Sequence, residues 1–456
     1  MMRPVVRVDE MAAIDAEAPE PVEVLIDRAG RALARVATDM LGGTYGRRVV
    51  VVAGPGNNGN DGRVAGERLA ARGVKVEVVD ATHPPARLPD TDLVVDAGFG
   101  TGCTRDVIAP DPGGALVLAV DIPSGIHGDT GVAMGSPMPA DVTVTFAAAK
   151  PGLFLNDGPD FTGEIVVADI GLDVSRATIE YVDHAGVAAL LPRRDAGAHK
   201  WRQAVLAIAG SPGMTGAATM LAGAAQRAGA GMVQLASPGV HPHHGPVEAV
   251  SVAVDESSWA ETLLADHDRS HAVAIGPGLG TSMVTRHQVR LFVAGTPKPV
   301  VVDGDGLTAL DGDAVDVLAG RAAPTVLTPH DGEFERLAGE RPGDDRIAPA
   351  QELAIRTGAT VLLKGPTTVV ASPTGAIRLV AAGDERLATA GTGDVLTGIV
   401  AAFLAAGLDG FDAAAAGAHV HGTAASLGPA VGLVASDLLD RLPDALDEIA
   451  GVGVDR

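Results

Sequence analysis

The residues best suited to chemistry stand at the ends of apolar runs. RVVVVAG is followed by Gly54, Gly56 and Gly59, a G-x-G-x-x-G spacing that lets backbone amides approach a phosphate at a helix N-terminus. The same turn carries Asn57, Asn58, Gly59, Asn60 and Asp61, whose side-chain oxygens suit a hard cation or the polar edge of a small ligand. Asn, Gly and Asp are also plain turn formers, so the pentapeptide alone leaves both readings open. Asp80 closes the next run where a dinucleotide-binding domain places its ribose-binding acid, which keeps a dehydrogenase in play.

Asp96 ends DLVVD before Gly100-Thr101-Gly102, and Asp121 ends LVLAVD before Pro123-Ser124-Gly125. In a parallel sheet these ends share one carboxyl edge, where open α/β folds bind ligands. Farther on, Gly391-Thr392-Gly393-Asp394 opens a helix. Its free amides and positive dipole end can stabilise a phosphoryl group in transit, with Asp394 placed to meet a hydroxyl as a base. Lys364, in VLLKGPTTVV, is a cation that could lie near phosphates. His330 could be a loop residue, Asp303 and Asp305 turn residues without a catalytic role, and Cys103 a small structural thiol.

The elements that must position these groups alternate. Continuous β-branched runs separated by helical lengths, including a helix from about Asp61 to Arg72, imply a doubly wound parallel sheet in the first half. The second half repeats the alternation, with strands near 204–209, 272–275, 299–302, 325–328 and 360–364. With 456 residues, more than one hydrophobic core usually serves, two α/β domains are expected: residues 1–190 and 195–456, with the linker within 183–203. The Ala/Gly-rich segment after AIAGSPGMTG reads as tight packing of small residues, and AIGPGLG as a further Gly-rich loop.

A net charge of −23 argues against nucleic acid or an anionic membrane as partner, and no apolar stretch is long enough for a spanning helix. One cysteine excludes an internal disulfide framework and suits a reducing cytoplasm, and the N-terminus does not read as a signal peptide. His241, His243 and His244 lack companion ligands and read as a surface loop.

GPGNNGNDG, VVDAGFGTG, VDIPSG and TVTFAAAKPGL resemble the NAD(P)H-hydrate epimerase family across the first domain. The resemblance implies a Rossmann-like fold, Asn58, Asp96 and Ser124 as potassium ligands, and Asn57 to Asp61 with Gly100, Thr101, Gly102, Cys103, Thr104, Arg105, Asp106 and Asp121 as hydrate-binding positions. Asp121 is then the candidate acid/base. Asn60 stands where many relatives have Gly, and the stretch from Arg105 to Leu116 is short for the family.

The second half, through TPHDGEF, LKGPTT and ATAGTGDVLTG, resembles the ADP/ATP-dependent NAD(P)H-hydrate dehydratases of the ribokinase-like superfamily. That implies Ala217, Gly280, His330 and Asp394 at the hydrate, and Lys364, Gly365, Pro366, Thr367, Thr368 and Gly393 at the adenine nucleotide, ADP or ATP, used with Mg²⁺. The expected protein is a cytoplasmic homo-oligomer repairing hydrated NADH and NADPH. The alternative is a kinase of a small alcohol whose first domain binds a ligand without catalysis.

Overall fold

The computed structural model describes residues 2–192, 197, 199–240, 245–266 and 268–451. The three histidines of GVHPHHGP lie outside the described residues, as does part of the expected linker. Two compact units form, one of residues 4–179 and one of residues 1–3 with 180–456. The division precedes the 183–203 linker. Glu180, Tyr181 and helix His184–Leu190 already belong to the larger unit: Val182 N–H donates to Leu379 O, and Val182 and Val187 are fully buried in its core.

The smaller unit holds a six-stranded sheet, parallel throughout, in the order Lys75–Asp80, Arg48–Ala53, Leu93–Ala97, Leu116–Val120, Val142–Phe146, Glu164–Ala168. Alternation in RVVVVA sends Val49 and Val51 into one core, with Leu25, Leu33 and Leu69 from the helices Val22–Met40 and Asn57–Ala70. Val50 and Val52 enter a smaller core on the opposite face, with Val94, Val117 and Met138. The first helix after Arg48–Ala53 begins at Asn57, not near Asp61, so the amide pair occupies its first turn.

Chain order reverses across the sheet between Arg48–Ala53 and Leu93–Ala97, the switch point at which loops diverge and leave a crevice. The two loops touch there. Gly54 N–H donates to Ala97 O, and a Cβ at Gly54 would lie 1.8 Å from Gly98 O. Likewise a Cβ at Gly59 would lie 1.9 Å from Gly54 O. These glycines therefore serve the close approach of backbone to backbone.

The larger unit repeats the logic. Parallel strands run Val250–Val252, Met232–Ala236, Ala204–Ile208, Ala272–Ile275, Val300–Val302, Thr325–Leu327, Thr360–Leu363. Antiparallel Thr368–Ala371 and Ile377–Val380 extend the sheet. The order reverses between Ala204–Ile208 and Ala272–Ile275. The small residues of helix Thr215–Arg227 admit a neighbouring helix, Thr392–Ala405: a Cβ on Gly398 would meet Leu221 O at 2.3 Å. Among the described residues, no helix is long and apolar enough to cross a membrane.

Candidate functional sites

In the smaller unit a cavity of about 640 Å³ opens at the switch point. Asn57, Asn58, Asp61, Gly100, Thr101, Gly102, Cys103, Thr104, Arg105 and Asp121 all line it. Gly59 does not, being spent on the Gly54 contact, and Asn60 and Asp106 point outward as exposed residues. Arg105 lies over the Phe99 ring at 4.7 Å, and Cys103 is buried, its thiol 3.5 Å from Arg105 O.

Asp121 is held in a left-handed conformation, φ 65°, unusual for a non-glycine residue and costly by on the order of 1–3 kcal/mol. The surroundings hold it there. Asp121 N–H donates to Val144 O at 2.7 Å, and Oδ1 accepts from Lys150 Nζ at 2.5 Å and Thr145 Oγ1 at 3.0 Å. Lys150 is 1% exposed, and its ammonium also contacts Thr145 Oγ1 and the carbonyls of Phe146 and Ala148. A buried cation with this many acceptors fixes the carboxylate by charge and direction.

Two further acids face the same cavity. Burial raises the Asp61 carboxyl to about 8, and the charges of Asp121 and Asp15 push the same way. Asp15, from helix Val8–Ala16, is raised chiefly by burial as well. Asp61 is 7% exposed. Its folded pKa is above the unfolded value, so it stabilises the protein at low pH, and that contribution disappears as pH rises from about 4 to about 8. At about 1.4 kcal/mol per unit the change amounts to several kcal/mol. Asp61→Asn is therefore expected to flatten the fall in Tm between pH 5 and pH 8, readable by calorimetry; an unchanged pH slope would contradict the assignment.

Behind the cavity, Asp96 accepts from Ser124 Oγ at 2.6 Å, Ser124 N–H at 2.9 Å and Gly98 N–H at 3.3 Å. Burial nevertheless raises its carboxyl. Asn58 Nδ2 is buried with no partner. Turning that amide exchanges nitrogen for oxygen in the same space, and the set then becomes a carboxylate, a hydroxyl and an amide oxygen. Such a set fits a hard cation, which would favour the ionised form of Asp96.

In the larger unit the residues gather around Asp303. Lys364 Nζ donates to Asp303 Oδ1 at 2.8 Å and lies 3.8 Å from Glu333 Oε2; Thr397 Oγ1 donates to Asp303 Oδ2 at 2.8 Å. Burial pushes Asp303 up, but the Lys364 charge and these hydrogen bonds outweigh it, and the carboxyl ends below its ordinary range. Burial lowers Lys364, yet Asp303 and Glu333 more than restore it. A Cβ on Gly393 would stand 3.6 Å from Lys364 Nζ and 3.7 Å from Asp303 Oδ2, so Lys364, Gly393 and Asp303 are immediate neighbours. Asp394, in the first turn of the next helix, is raised to about 6 by burial first and by the Asp303 charge second.

Lys364, Gly365, Pro366 and Thr367 form the turn of the hairpin between Thr360–Leu363 and Thr368–Ala371. His330 caps helix Asp331–Ala338: Nδ1 accepts from Gly332 N–H at 3.0 Å and Glu333 N–H at 3.4 Å, while Glu333 Oε2 accepts from His330 N–H at 2.9 Å. Both backbone donors engage Nδ1, so the neutral ring carries its proton on Nε2. At the switch point Gly280 N–H donates to Asp305 Oδ2 at 2.7 Å, and a Cβ on Gly278 would touch the Ala217 Cβ at 3.0 Å. Ala217 thus packs against the loop that carries Gly280.

Lys150, Asp15 and Asp303 were assigned no role from sequence. Lys150 and Asp303 stand inside the quoted motifs TVTFAAAKPGL and VVDGDGL; the paired partner that gives each its meaning is 29 and 61 residues away.

Fold and sites together define a two-unit α/β enzyme in which each unit carries its own cluster of candidate site residues. Residues 205–446 match the NAD(P)H-hydrate dehydratase family model, and 22–91 with 79–152 match that of the YjeF-related protein N-terminus. A bifunctional NAD(P)H-hydrate repair enzyme of Salinibacter ruber is 36% identical over 99% of this chain and 97% of its own length. One from Mycobacterium tuberculosis is 40% identical over 91% of this chain and 92% of its own. The crystal structure of the ADP/ATP-dependent NAD(P)H-hydrate dehydratase of Bacillus subtilis, co-crystallised with ATP and Mg²⁺, superposes on 59% of this chain and 97% of its own, with 31% identity and TM-score 0.51. A ribokinase-like protein of Enterococcus faecalis, 22% identical with TM-score 0.52, covers 60% of this chain and 97% of its own and shares the fold. The chain belongs to the bifunctional NAD(P)H-hydrate repair family.

Proposed function

We propose that residues 1–190 interconvert the R and S epimers of hydrated NADH and NADPH, and that residues 195–456 dehydrate the S epimer with ADP as phosphoryl donor. The observation that carries the second activity is the Lys364–Asp303 pair beside Gly393 and Asp394. It sets a cation, the Gly393 amide at a helix terminus and a carboxyl of raised pKa close together.

Asp394 removes the proton from the ring hydroxyl as it attacks the terminal phosphate of ADP; the Gly393 amide and Lys364 receive the charge that develops on the transferred group. AMP leaves as the phosphoryl group is transferred, and loss of phosphate from the resulting ester together with a proton from the adjacent ring carbon then restores the dihydropyridine double bond. Ala217, Gly280 and His330 line the hydrate side, and Lys364 to Thr368 the nucleotide side. Magnesium would neutralise the nucleotide's phosphates, with Asp305 as the nearby hard-oxygen donor.

In the smaller unit Asp121, held by Lys150, is the group that moves a proton at the hydrated ring, while Asn57, Asn58, Asp61 and Gly100 to Arg105 surround the substrate. Potassium would be held by Asn58, Asp96 and Ser124 and would orient a substrate oxygen. Cys103 as the single cysteine is consistent with a reducing cytoplasm.

The test is recovery of reduced-nicotinamide absorbance from a mixture of both epimers with ADP and Mg²⁺. Full recovery supports both activities. Recovery that stops when the S epimer is exhausted removes the epimerase, and a stable phosphorylated product without recovery favours the small-alcohol kinase.

A further inference from the structure

Arg346 breaks a local rule. It is the residue preceding helix Ile347–Thr357, at the positive end of the helix dipole, where a cation is disfavoured, and it is 8% exposed. The helix does not need it as a cap, because Asp345 Oδ1 accepts from Ile347 N–H at 3.0 Å and Ala348 N–H at 3.2 Å. Residues that cost local stability without a local return tend to serve a site.

The guanidinium reaches two loops. It pairs with Asp331 through both nitrogens, Nη2 to Oδ1 at 2.8 Å and Nη1 to Oδ2 at 3.2 Å, and Nη2 also donates to Lys364 O at 2.8 Å. Asp331 directly follows His330, and Lys364 opens the KGPTT turn. A Cβ on Gly365 would lie 2.9 Å from Arg346 Nη2, so glycine makes room for the fork. The planar, two-pronged donor matches a carboxylate and a carbonyl at once, which a lysine ammonium on a flexible stem does not do with the same geometry.

We propose that Arg346 is a positioning residue that couples the two substrates of the dehydratase: it locks the His330–Asp331 loop to the Lys364–Gly365 loop, so that ordering one loop by its ligand prepares the other. The inference rests on the assignment of hydrate and nucleotide to these loops. A fork shared by both loops carries coupling because neither can shift without loosening the other.

The test uses the unreactive pair ADP and NADH with the full chain. The dissociation constant of ADP is measured by calorimetry, with and without saturating NADH, for the wild type, Arg346→Lys and Asp331→Asn. NADH is expected to tighten ADP on the order of tenfold in the wild type. Both variants should bring that ratio close to one, with each ligand alone still bound. Arg346→Lys keeps a cation in the buried position, and a thermal melt checks that both variants fold. A wild type without coupling, or variants that bind both ligands more weakly yet keep the tenfold ratio, would overturn the inference. Absence of hydrate dehydration in the wild type would instead sink the functional reading.

Discussion

Asp394→Asn is expected to lower kcat/KM for dehydration of the S hydrate by about 10³-fold, within the usual range for loss of a general base, while ADP still binds. The asparagine is isosteric and keeps the first helical turn, so the loss reports the missing proton acceptor. The wild-type profile supplies a second reading. Burial and the Asp303 charge raise Asp394 to about 6. Below that pH the carboxyl holds its proton and cannot act as base, so kcat/KM should fall about tenfold per unit. Asp394→Asn should lack this acid limb. An asparagine variant of near wild-type rate, or a profile flat down to pH 5, would show that another group takes the proton.

Asp121→Asn is expected to slow epimerisation by about 10²- to 10⁴-fold and to leave dehydration of purified S epimer untouched. Asparagine tolerates positive φ better than most residues, and its amide oxygen can still accept from Lys150, so folding should survive. Epimerisation is followed by chromatography of each purified epimer without nucleotide. If both reactions decline together, the variant has damaged the chain as a whole. If neither declines, the cavity acts as a binding module and the residue's unusual backbone conformation has another cause.

Much of this was legible in the sequence for a physical reason. Continuous β-branched runs specify buried parallel strands, and the strand ends then fall on one edge without further information. The expected strands at 204–209, 272–275 and 360–364 lie within a residue of Ala204–Ile208, Ala272–Ile275 and Thr360–Leu363. Local patterns say less where the determining partner is distant. The helix after Gly56 starts at Asn57, with Asn60 N–H bonded to Gly56 O, and Gly59 passes close to Gly54 O, an approach invisible in composition. The same holds for Asp303, read as a turn residue until Lys364 and Thr397 are seen to hold both its oxygens. The unit division at residue 179 depends on strand Ile179–Tyr181 joining the larger unit's sheet, a long-range pairing that the Pro- and Gly-containing stretch downstream does not announce.

The pairing of Asp121 with a buried lysine has a consequence for how an anionic dinucleotide enters. The two charges cancel, and Asp61 stays protonated at neutral pH because its carboxyl titrates at about 8. In a chain of net charge −23, the patch that these three side chains form in the cavity lining thus adds little negative charge for the incoming diphosphate to meet, Asp15 and Glu20 being the other acids that line it. Above pH 8 the patch gains a negative charge. KM for the hydrate should then rise, and added salt, which shortens the Debye length from about 10 Å at 0.1 M, should recover part of the loss.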